Sequence, residues 1–229
     1  MVKAGGKKPA AKRDPLADRL TRCHASAVHD VLRSMGHSNV VLPWRIKPLD
    51  PTRRLAGEVY TVSGHVDQTL SRHETLLRWA RLLSKVPAGK VVVCQPNTLD
   101  IALMGELSAN ALKAKGVRGY VVDGACRDTD LVLELGFPVF CSHATPADIV
   151  ERWTPDEEHF GRPVTIGTVT LRSGDYVIGD RDGVVAIPGE LADMVTRETE
   201  RVLGTESDMR KAIVGGMDPE QAYLKFGKF

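Results

Sequence analysis

Apolar residues change their spacing several times along this chain, and each change predicts a new element. Leu16, Leu20, Val28, Val31, Leu32 and Met35 recur at helical spacing between Pro15 and Gly36, which predicts one or two helices ended by a glycine. Leu55 to Ser63 alternates as a strand does, Leu70 to Leu83 returns to helical spacing, and Pro87-Ala88-Gly89 turns the chain into a strand from Lys90 to Cys94. A helix follows over Gly105 to Lys115, with Gly116 to end it in a left-handed conformation. Val117 to Val122 is then β-branched and apolar enough for a covered strand. Asp123-Gly124 turns the chain, Thr129 to Leu135 is a short helix, and Phe137 to Cys141 is a third strand. Strand, helix, strand, helix, strand demands crossover connections, so the three strands run parallel. Parallel sheets carry their chemistry at the carboxyl ends of the strands, which places Gly105-Glu106 and the loop Gly124 to Asp128 on one rim.

After Cys141 the pattern changes. Ser142 to Gly161 is polar, holds Pro146, Pro155 and Trp153, and reads as a long ordered excursion over the surface, a place for a specificity loop. From Val164 to Ile187 short apolar runs separated by sharp turns predict an antiparallel meander. Leu191 to Ile213 is a terminal helix, charged nearly all round and ended by Gly215-Gly216. A helix that polar either lies on the surface or reaches another subunit. Residues 1–13 are rich in Lys, Gly and Ala and are expected to be a disordered basic tail, leaving 14–229 as one domain.

Composition narrows the function classes. At 229 residues with a net charge of +2 and 5% aromatic residues, the chain has no basic-aromatic surface for single-stranded nucleic acid, and no nucleic-acid partner is expected. No apolar run is long enough to cross a bilayer, and the N-terminal lysines lack the apolar stretch of a secretion signal, so no membrane partner is expected either. Cys23, Cys94, Cys126 and Cys141 show no paired metal-ligand spacing, which suits a reduced, cytoplasmic protein.

Gly105-Glu106, then Arg127-Asp128 after twenty intervening residues, then Gly136-Phe137-Pro138-Val139 and Asp180-Arg181-Asp182-Gly183-Val184-Val185, resemble one family. It is that of the 4-hydroxy-4-methyl-2-oxoglutarate aldolases, with the oxaloacetate decarboxylases and the RraA-type regulators of ribonuclease E. The likeness runs from about Leu20 to Gly215. It implies an α/β fold of the β/β/α swivelling-domain kind, with a central parallel unit, an antiparallel meander and a C-terminal helix. It also implies assembly as a homotrimer or hexamer and class II pyruvate aldolase chemistry, dependent on a divalent metal such as Mg2+ or Mn2+ and using no Schiff base. Glu106 departs from the aspartate often found there in such aldolases. Asp128, which the regulators lack, favours an enzyme over a protein that only docks on a ribonuclease. The resemblance further places a glutamate of the neighbouring subunit near the metal, with Glu206 the best match and Glu200 the alternative.

Chemistry then gives each residue a role. Cleaving a 4-hydroxy-2-oxo acid, or decarboxylating oxaloacetate, passes through the enolate of pyruvate, whose charge a divalent cation with hard oxygen ligands can hold. Asp128 is the carboxylate assigned to the metal; its structural alternative is to cap the helix Thr129 to Leu135. Arg127 offers a planar fork for the substrate carboxylate or the enolate oxygen. Gly105, with the N–H groups of Glu106, Leu107 and Ser108, forms a helix start suited to the pyruvate carboxylate. Glu106 either helps move a proton or only complements the helix dipole. Asp30, Asp180 and Asp182 are read as turn or cap residues, outside the site. Cys126 has no histidine near it in sequence and is not taken as a nucleophile. His73-Glu74 lacks the second histidine of a zinc-protease helix, and no dinucleotide-binding fingerprint is present.

Overall fold

The computed structural model describes residues 14–227, so the tail expected over 1–13 lies outside the described residues. The first half of the chain runs α1 (Pro15–Leu20), α2 (Ala25–Ser34), β1 (Lys47–Pro48), β2 (Leu55–Val66), α3 (Arg72–Lys85), β3 (Val91–Gln95), α4 (Glu106–Ala114), β4 (Gly119–Val122) and β5 (Ala125–Cys126). It continues through α5 (Thr129–Leu135), β6 (Val139–Cys141), β7 (His143–Ala144), β8 (Trp153–Pro155), β9 (Val164–Ile166), β10 (Val169–Leu171), β11 (Tyr176–Asp180), β12 (Gly183–Ile187), α6 (Ala192–Val214) and α7 (Pro219–Phe226).

Strands β2, β3, β4 and β6 pair in parallel in that order, joined by α3, α4 and α5 as crossovers, so the alternation read from the pattern is the core of the sheet. Antiparallel partners extend it on both sides: β1 beyond β6, and β11 then β12 beyond β2. The sheet curls until its ends approach, and Lys47 Nζ on β1 donates to the carbonyl of Asp182 in the β11–β12 turn. Alternate residues of the central strands serve different cores. Val92, Cys94, Tyr120 and Val122 pack under the crossover helices, while Val91, Val93 and Val121 face the inside of the curl with Phe140, Val177 and the β9–β10 hairpin. A third core joins α1, α2 and α6 to β11 and β12. Three apolar layers between two faces of one sheet and its helices give the β/β/α arrangement that was expected.

Two expectations change in detail. The stretch from Ser142 to Gly161 is not a surface excursion throughout. Trp153 is fully buried, its indole N–H donates to the Pro96 carbonyl at 2.8 Å, and β8 pairs antiparallel with the end of β2. Gly64 on β2 permits this, because a Cβ there would lie 2.0 Å from the Trp153 ring. One large side chain anchors an otherwise polar segment, a contact that spacing cannot reveal. The meander from Val164 to Ile187 is in fact two hairpins: β9–β10 forms its own two-stranded sheet, and only β11–β12 joins the main one.

The terminal helix α6 buries Val195, Thr196 and Thr199 in its first turns and exposes much of its second half. Beyond it, α7 was not anticipated. Its start was readable, since Pro219 stands at the first helical position and Asp218 accepts from the N–H groups of Glu220 and Gln221.

Candidate active site

Three segments leave the parallel strands on one rim, and backbone hydrogen bonds weld them together. Leu103 N–H donates to Ala125 O at 2.9 Å, Arg127 N–H to Met104 O at 2.8 Å, Ala102 N–H to Ala147 O at 2.8 Å, and Thr145 N–H to Cys126 O at 3.0 Å. The segments before α4, after β4 and after β6 therefore form one rigid platform, as a preorganised site requires.

Gly105 is the N-cap of α4 with extended backbone (φ −151°), so its value lies in close approach. A Cβ there would meet Asp128 Oδ2 at 2.8 Å and Arg127 Cγ at 3.1 Å. Only a glycine lets the helix start touch the Arg127-Asp128 pair. Asp128 occupies the N-cap position of α5 with left-handed backbone (φ 53°), yet its side chain makes no cap bond to that helix. The structural alternative of an α5 cap is thus not realised. Instead Asp128 Oδ2 accepts from the N–H of Glu106, at the start of α4, at 3.3 Å. A non-glycine residue in that conformation costs energy that the surroundings must offset, and such residues cluster at functional sites.

Arg127 lies between two carboxylates. Its Nε is 3.5 Å from Asp128 Oδ2 and its Nη1 is 3.3 Å from Asp148 Oδ2. These are ion pairs at the long end of contact, so the guanidinium is held in place while its donors remain able to take a ligand. Asp148 is itself anchored: Oδ1 accepts from Val150 N–H at 3.1 Å and from Arg152 Nη2 at 3.0 Å. Burial works to raise its pKa, but the hydrogen bonds from Arg152 and Val150 and the charges of Arg127 and Arg152 prevail and hold it below the usual carboxylate value.

Above this pair opens a pocket of about 180 Å³. Gly105, Leu107, Ser108, Arg127 and Asp128 all line it, so the structure brings together most of the residues singled out from sequence. Leu107 and Ser108 sit in the first turn of α4, where backbone N–H groups have no carbonyl behind them; the Glu106 N–H already faces Asp128. The Ser108 hydroxyl accepts from the Trp79 indole N–H at 2.9 Å. The Glu106 carboxylate does not reach the lining: it accepts from the Asn110 side chain one turn along its own helix. Glu206 and Glu200 lie on α6, also outside the lining, and Glu200 accepts from Arg19 at 2.6 and 3.0 Å.

Asp148 was missed. It stands twenty residues beyond Asp128 in a polar stretch without a motif, and only the fold carries it to Arg127. Also missed was Arg45, which donates to both oxygens of buried Asp123 at 2.8 and 2.7 Å and so locks the turn after β4. Asp30 is half-buried on α2 beside His29 and Arg33. Asp180 is buried, accepts from Ala25 N–H at 2.9 Å and thereby starts α2. Cys126 is buried, and burial followed by the nearby Cys141 pushes its thiol up to about 12, so it stays protonated at neutral pH and is no nucleophile.

Among the described residues no group of three or more His, Cys, Asp or Glu side chains is placed to hold a metal. The donor set still suits a hard divalent cation bound through few protein oxygens. Asp128 is 39% exposed, its one hydrogen bond is long, and a carboxylate has lone pairs for further ligands. Magnesium retains several waters and is commonly bound through one or two carboxylates together with its substrate.

Comparison with known proteins agrees with this architecture. A Legionella pneumophila protein, DlpA, is 29% identical over 90% of this chain, which spans about a third of DlpA's length (33%). A Halalkalibacterium halodurans protein bearing the provisional name 4-hydroxy-4-methyl-2-oxoglutarate aldolase is 27% identical, with 79% of this chain and 81% of that protein covered. Among solved structures, Streptomyces coelicolor RraAS2, described as an unusual member of the RNase ES inhibitor RraA protein family, superimposes with a TM-score of 0.75 at 28% identity, over 87% of this chain and 99% of that one. The profile of the RraA-like family, described as Aldolase/RraA, matches residues 25–186, well over half the sequence, and the chain belongs to that family.

Proposed function

We propose that the protein is a carbon–carbon lyase that splits a 4-hydroxy-2-oxo (di)carboxylic acid, a dicarboxylate in its main activity, into pyruvate and a second oxo acid, and that it also decarboxylates oxaloacetate. The observation that carries this reading is the Arg127 guanidinium held between Asp128 and Asp148 at the open start of α4. Relatives named as aldolases support the lyase class.

The N–H groups of Leu107 and Ser108 and the Arg127 fork take the carboxylate and 2-oxo oxygen of the pyruvyl half. A divalent cation, magnesium or manganese held by Asp128, would supply Lewis-acid stabilisation of the developing negative charge. In the cleavage the C4 hydroxyl loses its proton, the C4–O bond becomes a carbonyl, the C3–C4 bond breaks, and its electron pair passes into the pyruvate enolate, which is then protonated at C3. Arg127 cannot lose its charge at working pH, so it stabilises the enolate oxygen without entering proton transfer. Glu106, a half-buried carboxylate on the first residue of α4, is assigned the proton from the C4 hydroxyl, relayed by water because its side chain lies outside the lining.

The protein is further proposed to work as a homotrimer or hexamer in which Glu206 of one subunit serves its neighbour's site. Coexpressing Arg127→Ala with Glu206→Ala under different tags tests this. In a randomly mixed ring about a quarter of sites regain both residues, and activity approaching that fraction is expected. A mixed oligomer as inactive as its parents removes Glu206 from the site.

The lyase reading is tested with oxaloacetate, following pyruvate with added magnesium and with EDTA. Pyruvate release that EDTA abolishes and excess metal restores is expected. Full activity in EDTA removes the metal, and no pyruvate under any condition removes the lyase and leaves the regulator that docks on a ribonuclease.

A further inference from the structure

The wall of the pocket above Arg127 contains one hydrogen bond whose sense is fixed by chemistry. Trp79 Nε1 lies 2.9 Å from Ser108 Oγ, and both residues line the pocket. An indole N–H can only donate, so the serine oxygen must accept, and the hydroxyl keeps one proton to give elsewhere. Among the described residues no protein acceptor takes that proton. The indole is itself held in place. Trp79 is 8% exposed and meets the ring of Trp153 edge-on, with centroids 5.9 Å apart. Trp153 is fully buried, and its own N–H is committed to the Pro96 carbonyl at 2.8 Å. Beside this pair Glu151 N–H donates to Thr75 Oγ1 at 3.2 Å, which ties α3 to the segment after β6. Turning the Trp79 N–H away from Ser108 would therefore unpack two buried tryptophans.

Ser108 is half-buried at the third position of α4. Helical side chains lean toward the N-terminus of their helix, so its Oγ is carried toward the open first turn that the Leu107 and Ser108 N–H groups also serve. A tether between α3 and α4 would need only the serine oxygen; the proton left over is a donor beside the place assigned to an anion. We propose, resting on the lyase reading above, that the Ser108 hydroxyl is a third donor to the pyruvyl carboxylate, and that Trp79 is a positioning residue that holds that hydroxyl in the donating sense. The carboxylate then receives a charge-assisted O–H···O bond from a group ordered before the ligand arrives. Because the carboxylate bears the same charge before and after cleavage, the bond contributes to binding and not to the chemical step.

The test uses the full chain with Ser108→Ala, Trp79→Phe and the double variant, each followed by its melting curve. Pyruvate release from oxaloacetate gives kcat and KM, and deuterium exchange into the methyl group of pyruvate, read by NMR, gives KM for pyruvate with no cleavage involved. Ser108→Ala should raise both KM values about tenfold, the scale of one hydrogen bond to a charged group, with the loss in KM and not in kcat. Trp79→Phe removes part of the wall and also the orientation of the hydroxyl. The lost wall raises KM equally in either background, whereas the lost orientation counts only where the hydroxyl is present. The KM increase should therefore be about threefold larger in the parent than in Ser108→Ala. The double variant leaves no orphaned indole N–H, so its KM, about threefold above that of Trp79→Phe, reads the hydroxyl even where Ser108→Ala alone does not fold. An active parent whose KM is unmoved by removing the hydroxyl in either background overturns the proposal and leaves the lyase intact. Equal effects of Trp79→Phe in both backgrounds remove Trp79 as a positioning residue. No exchange and no pyruvate from the parent removes the lyase reading and this one with it.

Discussion

Two aspartates in this molecule each accept a hydrogen bond from the first N–H of a helix supplied by a distant segment, and they have opposite fates. Asp180 on β11 holds Ala25 at the start of α2 at 2.9 Å, uses its other oxygen for Asp182 N–H at 3.0 Å, and is 8% exposed. Asp128 holds Glu106 at the start of α4 at 3.3 Å, stands beside Arg127, and has a side chain 39% exposed. Both belong to charged Asp–Arg runs in the sequence, Asp180-Arg181-Asp182 and Arg127-Asp128. The difference is saturation. One carboxylate is fully engaged in structure, while the other keeps lone pairs and solvent access beside Arg127. Asp123, gripped through both oxygens by Arg45, belongs with Asp180.

Substitutions on the two sides of that contrast change different quantities. The largest effect is expected at the unsaturated pair. Asp128→Asn should leave a folded but nearly inactive enzyme. Arg127→Lys, which keeps the charge and loses the fork, should cost about 2.7–4 kcal/mol in kcat/KM, by analogy with removal of a preorganised donor. Near-normal kinetics for Arg127→Lys, measured beside an unchanged melting curve, would erase the contrast.

Next in size is Asp180→Ala, which removes the carboxylate from the start of α2. Roughly 0.5–2 kcal/mol of stability should be lost in denaturant titration, with kcat/KM unchanged once the protein is folded. A catalytic defect at full stability would move Asp180 into the site.

The smallest effect sharpens the comparison. Asp148→Asn loosens Arg127 without removing it, and about a tenfold fall in kcat is expected, roughly 1.4 kcal/mol. Because the Asp148 pKa is depressed, its charge contributes fully above the ordinary carboxylate range and is lost only as pH falls through the lowered folded value. The acid limb of activity in the parent should therefore retain the Arg127 anchor at pH values where an ordinary aspartate is already protonating. An identical acid limb in Asp148→Asn would show that the anchor plays no part there.

The central crossover was legible because each of its elements writes its own period. Val91 to Cys94 and Tyr120 to Val122 are apolar on both faces, and α4 lies between them with glycine at its start. Topology then placed Gly105 and Arg127-Asp128 on one rim without further information. Asp148 and Arg45 stayed hidden because each acts on a residue far away in sequence, through a contact that exists only after the sheet has formed. The stretch from Ser142 to Gly161 reads as a surface excursion because most of it is polar, although the one tryptophan within it, Trp153, is what anchors the segment. The Glu106 side chain shows the limit of spacing arguments: a motif can put a residue at a helix start without deciding which way its carboxylate turns.

The indole of Trp79 lines the pocket and meets Trp153 edge-on, with ring centroids 5.9 Å apart at 75°. The third tryptophan, Trp44, is 82% exposed. The protein thus carries an optical gauge of its own occupancy. An iodide quencher should extinguish the Trp44 emission and leave that of the buried pair, so the remaining signal reports the pocket. Pyruvate titrated against the quenched protein should shift that residual fluorescence along a saturable curve, without a label.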